Sequence, residues 1–272
     1  MLLAKLSEAG GISGQEAEVR QLIRSEITPY VDEIKIDPIG NLIALKRGRK
    51  GAEGKRVMLA AHMDEVGLMV VGINSDGLLH LAASGGVDPR VLVSKLVYVG
   101  ADHRPGVIGS KPIHLLKAAD MDRSTDMDSL YVDIGAKNKE DAEKLVKLGD
   151  QIIFATKCEP LGEGFLKGKA MDDRVGCYAI IEALRKQHDF DLYGAFTVQE
   201  EVGLRGAGVA AYQVKPDLAL VLEGTTAHDV TETPEHGRST VPGQGPAIVY
   251  RDSSWVGDPR IVDRLIETAE TA

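Results

Sequence analysis

The sequence predicts an α/β layered domain interrupted by a second, small, barrel-like β domain. Two stretches alternate helical and strand periodicity, one running to about residue 66 and one from about residue 161 onward. Between them the texture changes to short β-prone pieces punctuated by glycine, the pattern of a small barrel. Several of the apolar runs in the outer stretches are short, bounded as buried strands are, and end in acids.

The elements follow in order. Ser13-Gly14-Gln15-Glu16 has the spacing of a capping box, and Val19, Leu22, Ile23 and Ile27 recur at helical intervals, so a helix is expected to start near Gly14. Ile34 to Leu45 and Val57 to Ala61 read as strands, separated by the basic turn RGRKGAEGK, a solvated hairpin connection. In the interrupting stretch GLMVVGI, LLHLAA, KLVYVG, LYVDIG and QIIFAT read as strands and NKEDAEKLVKLG as a helix. AADMDRSTDMDS has almost no apolar periodicity and reads as a mobile loop. Cys177, Ile180, Ile181 and Leu184 fall at i, i+3, i+4 and i+7, the stripe of a helix packed on a sheet, and Ala195 to Val198 and Leu218 to Leu222 read as buried strands. The expected division is 1–66 and 161–272 for the two parts of the layered domain and 67–160 for the inserted one, with no internal repeat.

Composition narrows the function. The 272 residues are 43% hydrophobic and 27% charged, an ordinary globular mixture. A formal net charge of -9 argues against nucleic acid as a partner. No apolar run approaches the roughly 20 residues of a membrane span, and the opening MLLAKLSEAGG lacks the core of a secretory signal, so the expected location is the cytoplasm. Cys158 and Cys177 are too few for a disulfide framework and read as small interior residues.

The acids at the strand ends carry the chemistry. His62 and Asp64 follow one predicted strand, Glu200 and Glu201 another, and Glu223 a third, while Asp172 and Asp173 precede a helix expected near Arg174. In open α/β sheets ligands bind outside the carboxyl ends of the strands, so these residues are expected to meet in one crevice. Several carboxylates cannot all stay ionised at short range without a compensating cation. Imidazole mixed with carboxylate suits zinc, cobalt or manganese, and a site of this kind with two metals serves hydrolysis, a spare acid acting as base. A two-carboxylate glycosidase would need neither His62 nor so many acids.

The ordered set AAHMDEVG, GKAMDDRVG, TVQEEVGLRGA, VLEGT and GPAI followed by RDSS resembles the TET aminopeptidases, dinuclear metallopeptidases also called deblocking or glutamyl aminopeptidases. The resemblance implies a three-layer α/β/α metallopeptidase domain with an inserted β-barrel-like dimerisation domain, two divalent metal ions per subunit, short peptides as substrates, and self-association as a dimer or a tetrahedral dodecamer. Position by position it implies that His62 binds the first metal, Asp172 bridges both, Glu201 binds the second and Glu223 completes the first. Glu223 stands where many relatives carry aspartate. Glu200 would be the general base, Asp64 would hold His62 from behind, and the peptide between Asp172 and Asp173 would be cis. The family supplies one more histidine to the second metal from a strand beyond a late helix. Here the last histidine is His236, and the sequence reaches Thr271-Ala272 within what reads as that helix. The chain is therefore expected to be C-terminally truncated and its activity impaired, the alternative function being a structural or interaction homologue lacking the last ligand. His228 and His236 are candidate substitutes, and His80 and His114 read as structural or surface residues.

Overall fold

Two helices, α1 (Leu2–Glu8) and α2 (Ala17–Ile27), open the computed structural model, which describes residues 1–51, 54–115, 125–228, 231–234 and 240–271. The hairpin β1 (Glu33–Ile36) and β2 (Leu42–Lys46) and the strand β3 (Arg56–His62) follow. Six strands come next: β4 (Gly67–Ile73), β5 (Leu79–Ser84), β6 (Leu96–Val99), β7 (Arg104–Gly109), β8 (Tyr131–Asp133) and, after the one-turn helix α3 (Lys139–Ala142), β9 (Gln151–Phe154). A two-residue ribbon, β10 (Glu159–Pro160) with β11 (Leu166–Lys167), leads to α4 (Met171–Leu184), β12 (Asp191–Thr197), α5 (Arg205–Val214) and β13 (Leu218–Val221). The chain divides into two units, Met1–Gly224 and Thr225–Ala272; the second holds α6 (Pro259–Thr271), on which Val262 is buried.

The first unit is built on a five-stranded sheet in the order β1-β2-β12-β3-β13. β3 runs parallel to both β12 and β13, whereas β2 is antiparallel to β1 and β12. One face packs Leu42, Ala44, Ala61 and Phe196 against Leu6 of α1, Val19, Ile23 and Ile27 of α2 and Cys177, Ile180, Ile181 and Leu184 of α4. The other packs Ile43, Met58, Ala60 and Ala195 against Ala210 and Val214 of α5. These layers are the predicted α/β/α arrangement, and the apolar stripe of α4 faces the sheet as its spacing implies. α4 lies so close to β12 that a Cβ on Gly194 would stand 2.8 Å from Ile180 Cγ2 and 2.9 Å from Leu184 Cδ1.

The interrupting stretch forms a closed barrel in the order β4-β5-β8-β7-β6-β9, antiparallel throughout. Its core is aliphatic, with Leu68, Val70, Leu79, Leu81, Val97, Val99, Ile108, Val132 and Ile152 all buried. The five strands expected there are present, and β7 is a sixth that was not. Its sequence RPGVIG carries a proline and two glycines, which weaken a strand signal, and pairing with β6 and β8 overrides it.

Two helical expectations need correction. NKEDAEKLVKLG forms only the turn α3, started by the Asn138 side chain accepting from the Asp141 amide; beyond Ala142 the chain continues as irregular turns, with the Leu145 and Val146 amides both donating to the Ala142 carbonyl, before β9. The capping box is not formed: α2 begins at Ala17, Ser13 Oγ donates to Asp64, and the Glu16 carboxylate accepts from the Gly14 amide. Most of the AADMDRSTDMDS loop lies outside the described residues; its end forms a 3-10 turn at Met127–Ser129. No helix among the described residues is long and apolar enough to cross a membrane.

Candidate metal centre

The parallel register sets the site. Thr197 pairs with His62 and Val221 with Ala60, so β3, β12 and β13 end along one edge of the sheet and hand their next residues to the same place. His62 ends β3, Glu200 and Glu201 follow β12, and Glu223 follows β13. α4 adds Asp172, whose backbone is non-helical, and the Asp172-Asp173 peptide is cis, as the motif implies.

The imidazole lies at the base of this cluster and the acids rise toward solvent. His62 is 2% exposed, whereas the Asp172 and Glu223 side chains are 56% and 42% exposed. His62 Nε2 stands 3.0 Å from Asp172 Oδ1, 3.6 Å from Glu223 Oε2 and 3.8 Å from Glu200 Oε2. Two groups can each surround an ion with ligand atoms within 4.8 Å of one another: His62, Asp172 and Glu223, and His62, Glu200 and Glu201. All five sequence-predicted ligand and base residues are thus brought together. His228 lies in the second unit with Nδ1 3.4 Å from Thr240 Oγ1, and His236 falls outside the described residues.

The charge balance of the cluster is uneven. Burial is the largest influence on His62 and disfavours its cationic form. The hydrogen bonds of Asp172 and Asp64 and the charges of Glu223 and Asp173 outweigh it and lift the imidazole to about 11. Burial, reinforced by neighbouring carboxylates and opposed by His62, raises Glu200 and Glu201 and takes Glu223 to about 7. Negative charge is in excess around a single imidazole, and a divalent cation is the group that such a donor set accommodates.

Beneath the cluster lies a layer of buried polar contacts. Asp64 meets the His62 ring through its backbone carbonyl, 3.0 Å from Nδ1, with its carboxylate at 3.5 Å. That carboxylate also accepts from Ser13 Oγ at 2.6 Å and from the amides of Glu200 and Glu201 at 3.0 and 3.2 Å. Asp173, wholly buried, accepts from the His62 amide at 3.1 Å and from the Gly176 amide at 3.0 Å; burial and then the Glu223 charge raise it to about 8. Sequence reasoning gave no role to Glu65, Lys169 or Arg174. Lys169 Nζ donates to both Glu65 oxygens at 2.7 and 2.9 Å and to the Ala9 carbonyl. Arg174 is fully buried, donates to the carbonyls of Met63, Leu6 and Ala9, and stands 3.6 Å from Glu65. The available signal was position: Lys169 and Arg174 flank the two aspartates in GKAMDDR, and Glu65 follows Asp64 directly.

The fold that carries this site is shared with known proteins. The family model for M42 glutamyl aminopeptidases matches residues 40–272. The chain belongs to the M42 glutamyl aminopeptidase family. Among its relatives the lysyl aminopeptidase of Pyrococcus furiosus is 37% identical over 91% of this chain and 73% of its own length. The crystal structure of a TET aminopeptidase from a marine-sediment Thaumarchaeota archaeon superposes with a TM-score of 0.93 at 36% identity, covering 99% of this chain and 77% of that one. The TET1 peptidase of Pyrococcus horikoshii, which assembles into a tetrahedron or a large octahedral shell, gives 0.84 at 34% identity over 99% and 80% of the two chains. The M42 membership makes the chain a peptidase by family and agrees with the α/β/α fold and closed barrel seen here.

Proposed function

We propose that the chain is a metal-dependent aminopeptidase that removes N-terminal residues from short peptides at a two-metal site. The observation that carries this reading is the convergence of His62, Asp172, Glu200, Glu201 and Glu223 at the ends of three parallel strands, where they form two overlapping ligand groups that share His62. His62, Asp172 and Glu223 would hold one cation, Glu201 the other, with Asp172 between them. Zinc, cobalt and manganese suit the mixed nitrogen and oxygen donors. When bound, such cations supply Lewis acidity that activates water and polarises a peptide carbonyl. The chain's own residues do the rest. Glu200, raised by burial and standing 3.8 Å from His62, takes the proton from the attacking water and passes it to the leaving amine. Asp64 fixes the His62 ring through the Nδ1 contact, leaving Nε2 for the ion.

The same proposal includes the domain limits 1–66, 67–160 and 161–272, a cytoplasmic location, and self-association through the barrel. Val71, Leu96, Val107 and Leu148 are exposed on the inserted stretch, and the TET1 peptidase assembles into closed shells. That likeness supports self-association, which we take to be a dimer and a tetrahedral dodecamer built from it. The test is hydrolysis of aminoacyl p-nitroanilides by the purified chain after loading with zinc, cobalt or manganese, alongside metal analysis. Release of nitroaniline that chelation abolishes and metal restores supports the enzymatic reading; bound metal without turnover on any member of the panel would remove it in favour of the alternative, a structural or interaction homologue.

A further inference from the structure

Three successive amides of the loop that carries both acids are captured by two buried carboxylates. The Gln199 amide donates to Glu16 Oε1 at 3.3 Å, the Glu200 amide to Asp64 Oδ1 at 3.0 Å and the Glu201 amide to Asp64 Oδ2 at 3.2 Å. The amides of Glu200 and Glu201 converge on the one carboxylate of Asp64, the amide of Gln199 goes separately to Glu16, and Gln199 itself adopts the left-handed conformation at φ 56°. The loop is closed on its far side by the amides of Gly203 and Leu204, both donating to the Glu200 carbonyl. Glu16 is 3% exposed and holds a second donor, the Gly14 amide, at 2.6 Å on the same oxygen. Ser13, one turn away in sequence, steadies the other carboxylate by donating to Asp64 Oδ2 at 2.6 Å.

These contacts explain the failed capping box. Ser13 and Glu16 have the spacing to cap a helix starting at Gly14, yet Ser13 Oγ donates to Asp64 instead of accepting from the Glu16 amide, and α2 begins only at Ala17. Both are instead engaged with the residues around the site. A carboxylate costs stability when buried, so placing Glu16 here is compensated only by the amides it accepts. Of those, the Gln199 amide is remote in sequence and leads directly into Glu200.

We infer that Glu16 is a positioning residue, which holds the backbone at Gln199 where Asp64 holds it at residues 200 and 201, and so helps set the direction in which the Glu200 carboxylate faces the substrate. The inference rests on the reading of Glu200 as general base. What positioning requires is an acceptor of the right reach; the charge of Glu16 is secondary. Glutamine in its place keeps an oxygen at the same distance, whereas aspartate keeps the charge but withdraws it by one methylene. Misplacing a catalytic group by an ångström is enough to lower the chemical step substantially.

The experiment measures kcat, KM and bound metal for Glu16→Gln, Glu16→Asp, Glu16→Ala and, separately, Glu200→Gln in the full chain, with aminoacyl p-nitroanilides as substrates and rates expressed per folded molecule. Glu16→Gln should stay within about threefold of the parent, while Glu16→Asp and Glu16→Ala lose about 10- to 100-fold in kcat with KM and metal content little changed, the scale of a displaced catalytic group. If Glu16→Ala fails to accumulate, the order of the other two decides. Aspartate below glutamine supports positioning, and glutamine at or below aspartate overturns it. Parent-like kcat in all folded Glu16 variants, or a loss that appears only in thermal stability, also overturns it. Glu200→Gln with undiminished kcat marks failure of the underlying base assignment, an outcome distinct from any of these.

Discussion

The barrel closes its interior with Leu68, Val70, Leu79, Val97, Ile108, Val132 and Ile152, and among the described residues Gln151 is its buried polar side chain. The layered sheet, built from strands of similar length, buries Glu16, His62, Asp64, Glu65, Lys169, Asp173 and Arg174 around the edge that carries the site. Aliphatic burial stabilises in proportion to area, about 25 cal/mol per Å². Buried charges contribute little net stability unless each keeps its partners, and removing one partner is expensive. The barrel is therefore a region where substitutions change stability alone, and the sheet edge one where stability and chemistry change together.

The largest effect that would sharpen this contrast is at Glu200. Glu200→Gln is expected to lower kcat by about 10²- to 10⁴-fold, the usual contribution of a general base, while bound metal by elemental analysis stays the same. Loss of metal with an unchanged rate per bound ion would show that the acid is a ligand instead. Next comes the ion pair beneath the site. Glu65→Gln leaves Lys169 buried with its charge uncompensated, and denaturant unfolding should show a loss of about 3–5 kcal/mol. Replacing both members by apolar residues of similar volume should recover part of that loss, because Arg174 is still left without Glu65; a double replacement as unstable as the single one would mean that the contact to Arg174 dominates.

Leu68→Ala in the barrel is expected to cost about 3 kcal/mol by the cavity it leaves, with kcat per folded chain unaltered. An altered kcat would break the proposed separation of the two regions. Metal removal follows. A saturating ion at one hundred times its dissociation constant stabilises the folded chain by about 2.7 kcal/mol, so chelation should lower the melting temperature and added zinc should restore it. The smallest effect is expected at the exposed pair joining the regions, His103 Nε2 to Glu18 Oε2 at 2.9 Å. His103→Ala should change stability by less than about 1 kcal/mol, and a larger change in calorimetry would reveal coupling across that contact.

What the sequence disclosed follows the same division. Apolar runs such as Val57 to Ala61 and Leu218 to Leu222 mark strands by composition, and the polar residues just beyond them mark the working edge of a parallel sheet. His62, Glu200, Glu201 and Glu223 were legible for that reason. β7 was obscured because Pro105, Gly106 and Gly109 owe their strand conformation to neighbours on both sides rather than to local preference. Ser13 and Glu16 misled because local spacing favoured a cap while tertiary contacts drew both side chains toward Asp64 and Gln199. Glu65, Lys169 and Arg174 were missed because charged residues read as solvated unless the partner that neutralises them is known, and that partner is distant in the chain.

The first and last barrel strands are hydrogen-bonded neighbours, Leu68 opposite Ile152, although they bracket the whole inserted stretch. Closing the barrel thus draws the end of β3 toward the segment leading to α4, and a long excursion of the chain becomes in effect a short turn. The entropic cost of joining remote segments rises slowly with the length of chain between them, so His62 and Asp172 meet at a cost lower by about 1–2 kcal/mol once the barrel has formed. Folding should accordingly proceed from the inside of the sequence outward. In pulse-labelled hydrogen exchange during refolding, amides of β4 and β9 are expected to gain protection before those of β12, and β12 protected first would reverse that order.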